Sequence, residues 1–125
     1  MLVLEGDELV RVVGTSHYQD ALLELAPREA DEEVRVNTIA TFVPEPDNPH
    51  DPDAVAIHID GRLVGYLARE ENRRWLDVLG GDEIGAEAMI AGRAGTQVLG
   101  VLLRLPTPTE ARAQVSLWKR RREAG

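Results

Sequence analysis

Most of the chain consists of short apolar runs, or of apolar residues that alternate with polar ones. Residues 9–13 are apolar and β-branched and stop at Gly14, which predicts an opening strand. Residues 34–43 alternate over a longer stretch, which predicts the longest strand, with one side facing water. Two further strands are predicted at about residues 87–90 and 98–105, joined by a glycine-rich segment.

A hairpin is predicted in the middle of the chain, where residues 54–59 and 63–67 form two apolar runs around Asp60-Gly61. Both turn residues tolerate the positive φ angles that a tight hairpin needs. The preceding residues 44–52 hold four prolines, which can continue neither a strand ladder nor a helix. This segment is therefore predicted to be a surface loop.

Three segments have helical spacing. Residues 18–25 are predicted to form a short helix with Ser16 as a cap, ended by Pro27. Residues 69–79 begin with acidic side chains and stop at a glycine pair, and their Trp75 is predicted to be a core residue. A last helix is predicted at residues 109–122, where basic side chains suit a helix C-terminus.

These elements predict a mostly β protein. Short helices separate the strands, without the regular alternation of strand and helix that builds parallel sheets, which favours a small antiparallel barrel or an open β-roll. A length of 125 residues suits one core. We expect the β-barrel domain at residues 1–106 and an appended, basic, helical tail at residues 107–125.

Composition and charge narrow the classes of function. Hydrophobic residues make up 43% and charged residues 29% of the chain, a globular mixture. The absence of cysteine excludes a disulfide framework, a thiolate zinc site and a thiol nucleophile. A net charge of −8 argues against strong nonspecific binding to nucleic acid. However, all but one of the 14 basic residues are arginine, and residues 119–122 are all basic, so a local site can differ in sign from the average.

The location is expected to be cytoplasmic. The first residues carry Glu5, Asp7 and Glu8, where a signal peptide needs basic residues followed by an apolar run. No apolar stretch approaches the length that spans a membrane, so no membrane partner is expected.

Metal binding and catalysis find little support in the motifs. The potential metal ligands around the proline-rich loop are Asp47, His50, Asp51, Asp53 and His58. Their spacing matches no known metal-binding motif, so neither a metal nor another cofactor is expected. Ser16 with nearby histidines offers the residue types of a hydrolase but lies in no Gly-x-Ser-x-Gly motif. The glycine groups lack the lysine of a phosphate-binding loop. We therefore expect no enzyme.

Three segments in chain order resemble the HIRAN domain: VVGTSHYQDAL at residues 12–22, PEPDNPHDPDAVAI at residues 44–57 and GRLVGYLARE at residues 61–70. The resemblance spans about residues 9–105, and residues 47–55 are its most specific part. It implies a small barrel, OB-like or SH3-like, that occurs alone in bacteria or fused to ATPases and nucleases acting on damaged or stalled DNA.

The resemblance also implies a partner and a role. Its DNA-binding relatives hold the 3′ end of single-stranded DNA: aromatic rings stack on the terminal bases, an aspartate accepts a hydrogen bond from the 3′-hydroxyl, and basic groups hold the last phosphates. It implies that this chain binds a single-stranded DNA 3′ end in DNA repair or processing. A helicase or nuclease is the kind of protein partner that would accompany this role.

The family motif assigns these roles to individual residues. Tyr18 matches a base-stacking aromatic residue and Asp51 matches the hydroxyl acceptor, with Tyr66 and Arg69 nearby at a strand end and a helix start. His17 stands where the DNA-binding relatives have an arginine that meets phosphate. His50 likewise stands where they have a second stacking aromatic residue, and imidazole offers less stacking area and little charge at neutral pH.

Several interpretations stay open at this point. Asn48, Asp51 and Asp53 are also residues that turns use to bond their own backbone. Tyr66 shares a face with Val64 in strict alternation, and it either lines a groove or only covers the barrel. The basic tail is either a solvated helix end or a contact for phosphate. As a second function, the chain would be a protein-interaction or regulatory module that keeps the fold without binding DNA.

Overall fold

The computed structural model describes residues 1–26, 33–93 and 99–124, and these contain seven strands and three α-helices. The strands are β1 (Leu2–Leu4), β2 (Glu8–Arg11), β3 (Glu33–Pro44), β4 (Val55–Ile59), β5 (Arg62–Tyr66), β6 (Ile84–Arg93) and β7 (Gly100–Leu105). The helices are α1 (Gln19–Leu25), α2 (Asn72–Leu79) and α3 (Pro108–Ala124), with short 3₁₀ turns at Thr15–His17 and Arg69–Glu71.

The predicted mostly β architecture with helices is confirmed, and the element ends shift by up to about three residues. The largest change is in β6, which extends further at both ends than the strand predicted at residues 87–90. Strand β1 was not predicted, because three residues are too few to show a period. The predicted cap role of Ser16 is wrong: Ser16 lies inside a 3₁₀ turn, and Tyr18 occupies the cap position of α1 without a side-chain hydrogen bond. The predicted helix end at Pro27 and the segment 94–98 lie outside the described residues.

The strands form one sheet in the order β2-β7-β6-β3-β4-β5, with neighbours antiparallel, while β1 pairs parallel with β6. The two ends of this order meet in a single bridge just after β2. There Val13 and Tyr66 exchange two backbone hydrogen bonds of 2.8 and 2.9 Å. One bridge is not a ladder, so the sheet is not closed and the predicted barrel is not confirmed over the described residues.

The predicted hairpin is confirmed as β4 and β5. Its turn residues Asp60 and Gly61 have φ angles of 50° and 75°, as a tight turn of this kind requires. The strict alternation predicted for its second strand is wrong. The register shifts between Ile57 and His58, so that an extra residue bulges from β5 and Val64 is fully buried.

One core joins the inner face of the sheet to the helices. The ring of Trp75 on α2 stacks on the ring of Phe42 on β3, with centroids 6.0 Å apart and planes 7° apart, which confirms the predicted core position. Ala111 and Val115 of α3 are buried in the same cluster. The predicted domain division at residues 106 and 107 stays a prediction.

The basic end of α3 lies on the surface. Lys119 pairs with Asp82 at 3.0 Å, and the guanidinium of Arg122 lies 4.6 Å from the ring centroid of Trp118. Among the described residues, no helix combines the length and apolar character needed to cross a membrane.

Candidate functional site

The proline-rich loop between β3 and β4 is organised by Asn48. The backbone N–H of Asn48 donates to the carbonyl of Glu45 at 3.0 Å. Its side-chain Oδ1 accepts hydrogen bonds from the backbone N–H groups of His50, at 2.9 Å, and Asp51, at 3.2 Å. Asn48 therefore acts as a turn residue, since its side chain replaces backbone partners within the loop.

Asp51 is held from both sides. Within the loop, its Oδ1 accepts from the backbone N–H of Asp53 at 2.9 Å. From the helix side, the Nδ2 of Asn72 donates to Oδ2 at 3.0 Å, and the Nε of Arg69 lies 3.6 Å from the same oxygen. The side chain is only 20% exposed. The carboxylate is thus fixed in direction while part of it stays accessible.

A carboxylate offers about four acceptor positions on its two oxygens. The three contacts to Asp51 leave room for one more donor, such as a hydroxyl group.

Two arginines stand beside the loop at the start of α2. Arg69 is 77% exposed, and its Nη2 also donates to the carbonyl of His50 at 3.4 Å. Arg73 is 89% exposed and pairs with Asp53 at 3.3 Å. Because both guanidiniums are largely in solvent, they can turn toward an anionic ligand with little loss of stability.

Aromatic rings gather near the end of β5. The ring centroids of Tyr18 and Tyr66 lie 6.4 Å apart, and His17 meets Tyr18 edge-on at the same separation. The bridge between Val13 and Tyr66 brings this group together, because it fixes β5 against the chain that leads into the 3₁₀ turn. His17 is exposed, whereas both tyrosines are half-buried.

Glu45 joins the rings to the loop. Its Oε1 accepts one hydrogen bond from the hydroxyl of Tyr66 and another from Nδ2 of Asn48, both at 3.0 Å. Burial raises the pKa of Tyr66 well above its ordinary range, and the Glu45 carboxylate and the neighbouring Tyr18 raise this pKa further. Tyr66 therefore stays a neutral donor at physiological pH.

The predicted site residues thus fall into two adjoining groups. One group holds the rings, namely His17, Tyr18 and Tyr66, and the other surrounds the carboxylate, namely His50, Asp51 and Arg69. Asn48 and Glu45 connect the two groups through hydrogen bonds. Their roles toward a ligand stay predictions.

Two residues of this network were missed by sequence reasoning. Glu45 lies in the quoted loop motif, but its partner Tyr66 is a hairpin away. Asn72 was detectable: it stands three residues before Trp75 and seven before Leu79, on the buried stripe of α2. A polar residue at that spacing signals a buried hydrogen bond. Among the described residues, no group of three or more potential metal ligands comes together.

No curated protein and no solved structure was found that matches the chain. The family model of the HIRAN domain matches residues 6–107 of the 125. The matched region includes the rings, the proline-rich loop and the start of α2. Since the match covers most of the sequence, the chain belongs to the HIRAN domain family.

Proposed function

We propose that this HIRAN domain binds the 3′ end of single-stranded DNA, in the cytoplasm, as part of DNA repair or processing, and acts by binding without catalysis. HIRAN domains are generally linked to nucleic-acid binding. The observation that carries the finer proposal is the Asp51 carboxylate, which is 20% exposed and lies 3.6 Å from the Nε of Arg69. A fixed acceptor beside an exposed cation suits a ligand that ends in a hydroxyl next to a phosphate.

The 3′-hydroxyl is the group that distinguishes a chain end. It donates to the free acceptor position of Asp51, whose other positions are held by Asp53 and Asn72. A 3′-phosphate would instead bring negative charge against the carboxylate. Binding through Asp51 therefore predicts a preference for free 3′ ends.

Stacking supplies affinity without sequence preference. Tyr18 and His50 would stack on the last bases, with Tyr66 behind Tyr18 as its support. Stacking of a base on an aromatic side chain contributes about 1–3 kcal/mol. The imidazole of His50 has a smaller surface than tyrosine, so we expect its share to fall at the lower end.

Phosphate contacts would come from Arg69, assisted by His17. The guanidinium of Arg69 is 77% exposed and can contact a phosphate while staying near Asp51. The net charge of −8 opposes the approach of DNA, so binding should be strongest at low salt and weaken as salt rises. Short oligonucleotides are suited to this test because they carry few charges.

The test compares labelled oligonucleotides with a free or a phosphorylated 3′ end at low salt. We expect tighter binding to the free end, and loss of this preference in Asp51→Ala. Asp47→Ala is the matched control, since it removes the same charge from an exposed position in the same loop. Equal affinity of the wild type for both ends, or normal preference in Asp51→Ala, would refute the proposal.

A second candidate function is a protein-interaction or regulatory module, with a helicase or nuclease as the partner. It is favoured by the acidic balance of the chain and by the internal contacts that already occupy much of Asp51. Binding to a purified helicase or nuclease that survives both high salt and Asp51→Ala would support this function over DNA binding.

A further inference from the structure

Asn72 occupies a position where an apolar residue would be expected. It is the first residue of α2 and lies on the buried stripe of that helix with Trp75, Val78 and Leu79. Among the described residues, Asn72 is the one polar residue that is buried, with 3% of its surface exposed. A polar group taken out of water costs free energy unless all its hydrogen bonds are made.

The hydrogen bonds of Asn72 are made on one side only. Its Nδ2 donates to Oδ2 of Asp51 at 3.0 Å. Its Oδ1 is buried and has no partner among the described residues. The carboxylate fixes this orientation, because an ionised carboxylate accepts but cannot donate, so the amide must turn its N–H₂ group toward Asp51.

The buried amide is therefore a poor choice for stability alone. A leucine has nearly the same branched shape and would leave no unpaired oxygen. What the asparagine adds is one fixed donor to Asp51, the residue that the proposed function places against the 3′-hydroxyl. Side chains that break a local rule of stability are expected at functional positions.

Arg69 cannot replace this donor. Its guanidinium is 77% exposed and stands 3.6 Å from the carboxylate, so it is free to turn toward a phosphate when DNA arrives. Asn72, in contrast, is packed in a helix and keeps its place. During binding it would be the helix-side group that still holds Oδ2 of Asp51.

We propose that Asn72 is a positioning residue that aims the carboxylate of Asp51 and so gives the site its preference for a free 3′-hydroxyl. This inference rests on the proposed function. Asn72 does not contact DNA itself; it acts through Asp51.

The test measures the ratio of affinities for free and 3′-phosphorylated oligonucleotides in Asn72→Leu. We expect this ratio to fall by about tenfold, the effect of losing one hydrogen bond to a charged group. Affinity for the phosphorylated oligonucleotide should stay as in the wild type, because stacking and phosphate contacts remain. The midpoint of urea unfolding should change little, because losing the hydrogen bond to Asp51 is offset by removing the unpaired oxygen of Asn72.

A double-mutant cycle separates positioning from a purely structural role. In an Asp51→Ala background, Asn72→Leu should leave the ratio unchanged, because the group that it aims is gone. Asn72→Ala is the second variant: it removes the donor without adding bulk and should lower the ratio in the same way.

The two proposals fail in different ways. A wild type that binds both ends equally refutes the proposed function. A wild type that discriminates, together with Asn72 variants that keep its ratio, refutes the role of Asn72 alone. Variants that lose affinity for both oligonucleotides equally, with a lower unfolding midpoint, also refute it, because Asn72 would then serve only the fold.

Discussion

The hydroxyl of Tyr66 donates a hydrogen bond to Oε1 of Glu45 at 3.0 Å, and this bond ties the end of β5 to the loop that follows β3. The same oxygen accepts from Asn48, which in turn accepts from the backbone of Asp51. The ring group and the carboxylate group are therefore linked through Glu45 and Asn48. A substitution of Tyr66 should therefore affect the proline-rich loop as well as the ring group.

We expect Tyr66→Phe to weaken both stability and binding. The free energy of unfolding should fall by about 0.5–1.5 kcal/mol, the usual effect of losing one hydrogen bond. The affinity for single-stranded DNA should also fall although the aromatic ring remains, because the side chain of Glu45 then keeps only its hydrogen bond to Asn48. Urea unfolding and oligonucleotide titration measure the two effects. Unchanged binding would mean that the loop keeps its shape without Tyr66.

The raised pKa of Tyr66 predicts a loss of stability in alkali. Burial, and then the Glu45 carboxylate, raise this pKa above its unfolded value of about 10. The folded state therefore binds the phenol proton more tightly, and the resulting stability is complete below pH about 10 and declines as the pH rises above it. Urea unfolding across this range should show a steeper decline for the wild type than for Tyr66→Phe. Equal slopes would contradict the assigned environment of Tyr66.

Trp75 and Trp118 offer a matched pair for testing the core. Trp75 is 3% exposed and stacks on Phe42, so Trp75→Ala should lower the free energy of unfolding by about 3–5 kcal/mol. Trp118 is half-buried beside Arg122, and its replacement by alanine should cost about 1 kcal/mol or less. Chemical denaturation of the two variants measures which one loses more free energy of unfolding. Comparable losses in the two variants would contradict the position of the core.

Much of the fold could be predicted because its signals are local. The Asp60-Gly61 turn and the alternation along β3 depend on neighbours in the sequence, and both were found. The bulge in β5 was not, because it depends on how that strand meets β4 and the chain around Val13. Closure of the barrel is equally nonlocal, and the sheet stops short of it at one bridge.

The candidate site could be predicted only in part for the same reason. The loop motif supplied Asp51 and His50, but the partners that orient Asp51 come from the loop backbone and from α2. Tyr66 was named without its acceptor, since Glu45 lies 21 residues away in the chain. The helical spacing can indicate that Asn72 is buried, but it does not show which distant side chain Asn72 contacts.

Arg69 should contribute to the salt dependence of DNA binding. If it contacts one phosphate, Arg69→Gln should reduce the slope of log affinity against log salt by about one. Arg35→Gln is the control, because it removes the same charge at the other end of β3, about 30 Å along the strand from the loop. Titrations at several salt concentrations measure the slopes. Equal slopes for Arg69→Gln and Arg35→Gln would show that Arg69 does not contact a phosphate.

Gly65 tests whether the bridge after β2 builds the ring group. A Cβ atom at this position would lie 2.5 Å from Cγ1 of Val12 and 2.6 Å from the carbonyl oxygen of Val13, so Gly65→Ala must push β5 away from that segment. We expect a loss of about 1–3 kcal/mol in the free energy of unfolding, faster hydrogen exchange at Tyr66 and weaker DNA binding. Gly61→Ala, at the hairpin turn, should also destabilise the fold, because the φ angle of 75° at this position is unfavourable for alanine. It should leave DNA binding intact, because the new Cβ atom meets no neighbouring atom and the turn lies at the far end of β5. If both variants bind equally well, the close approach at Gly65 is not what assembles the rings.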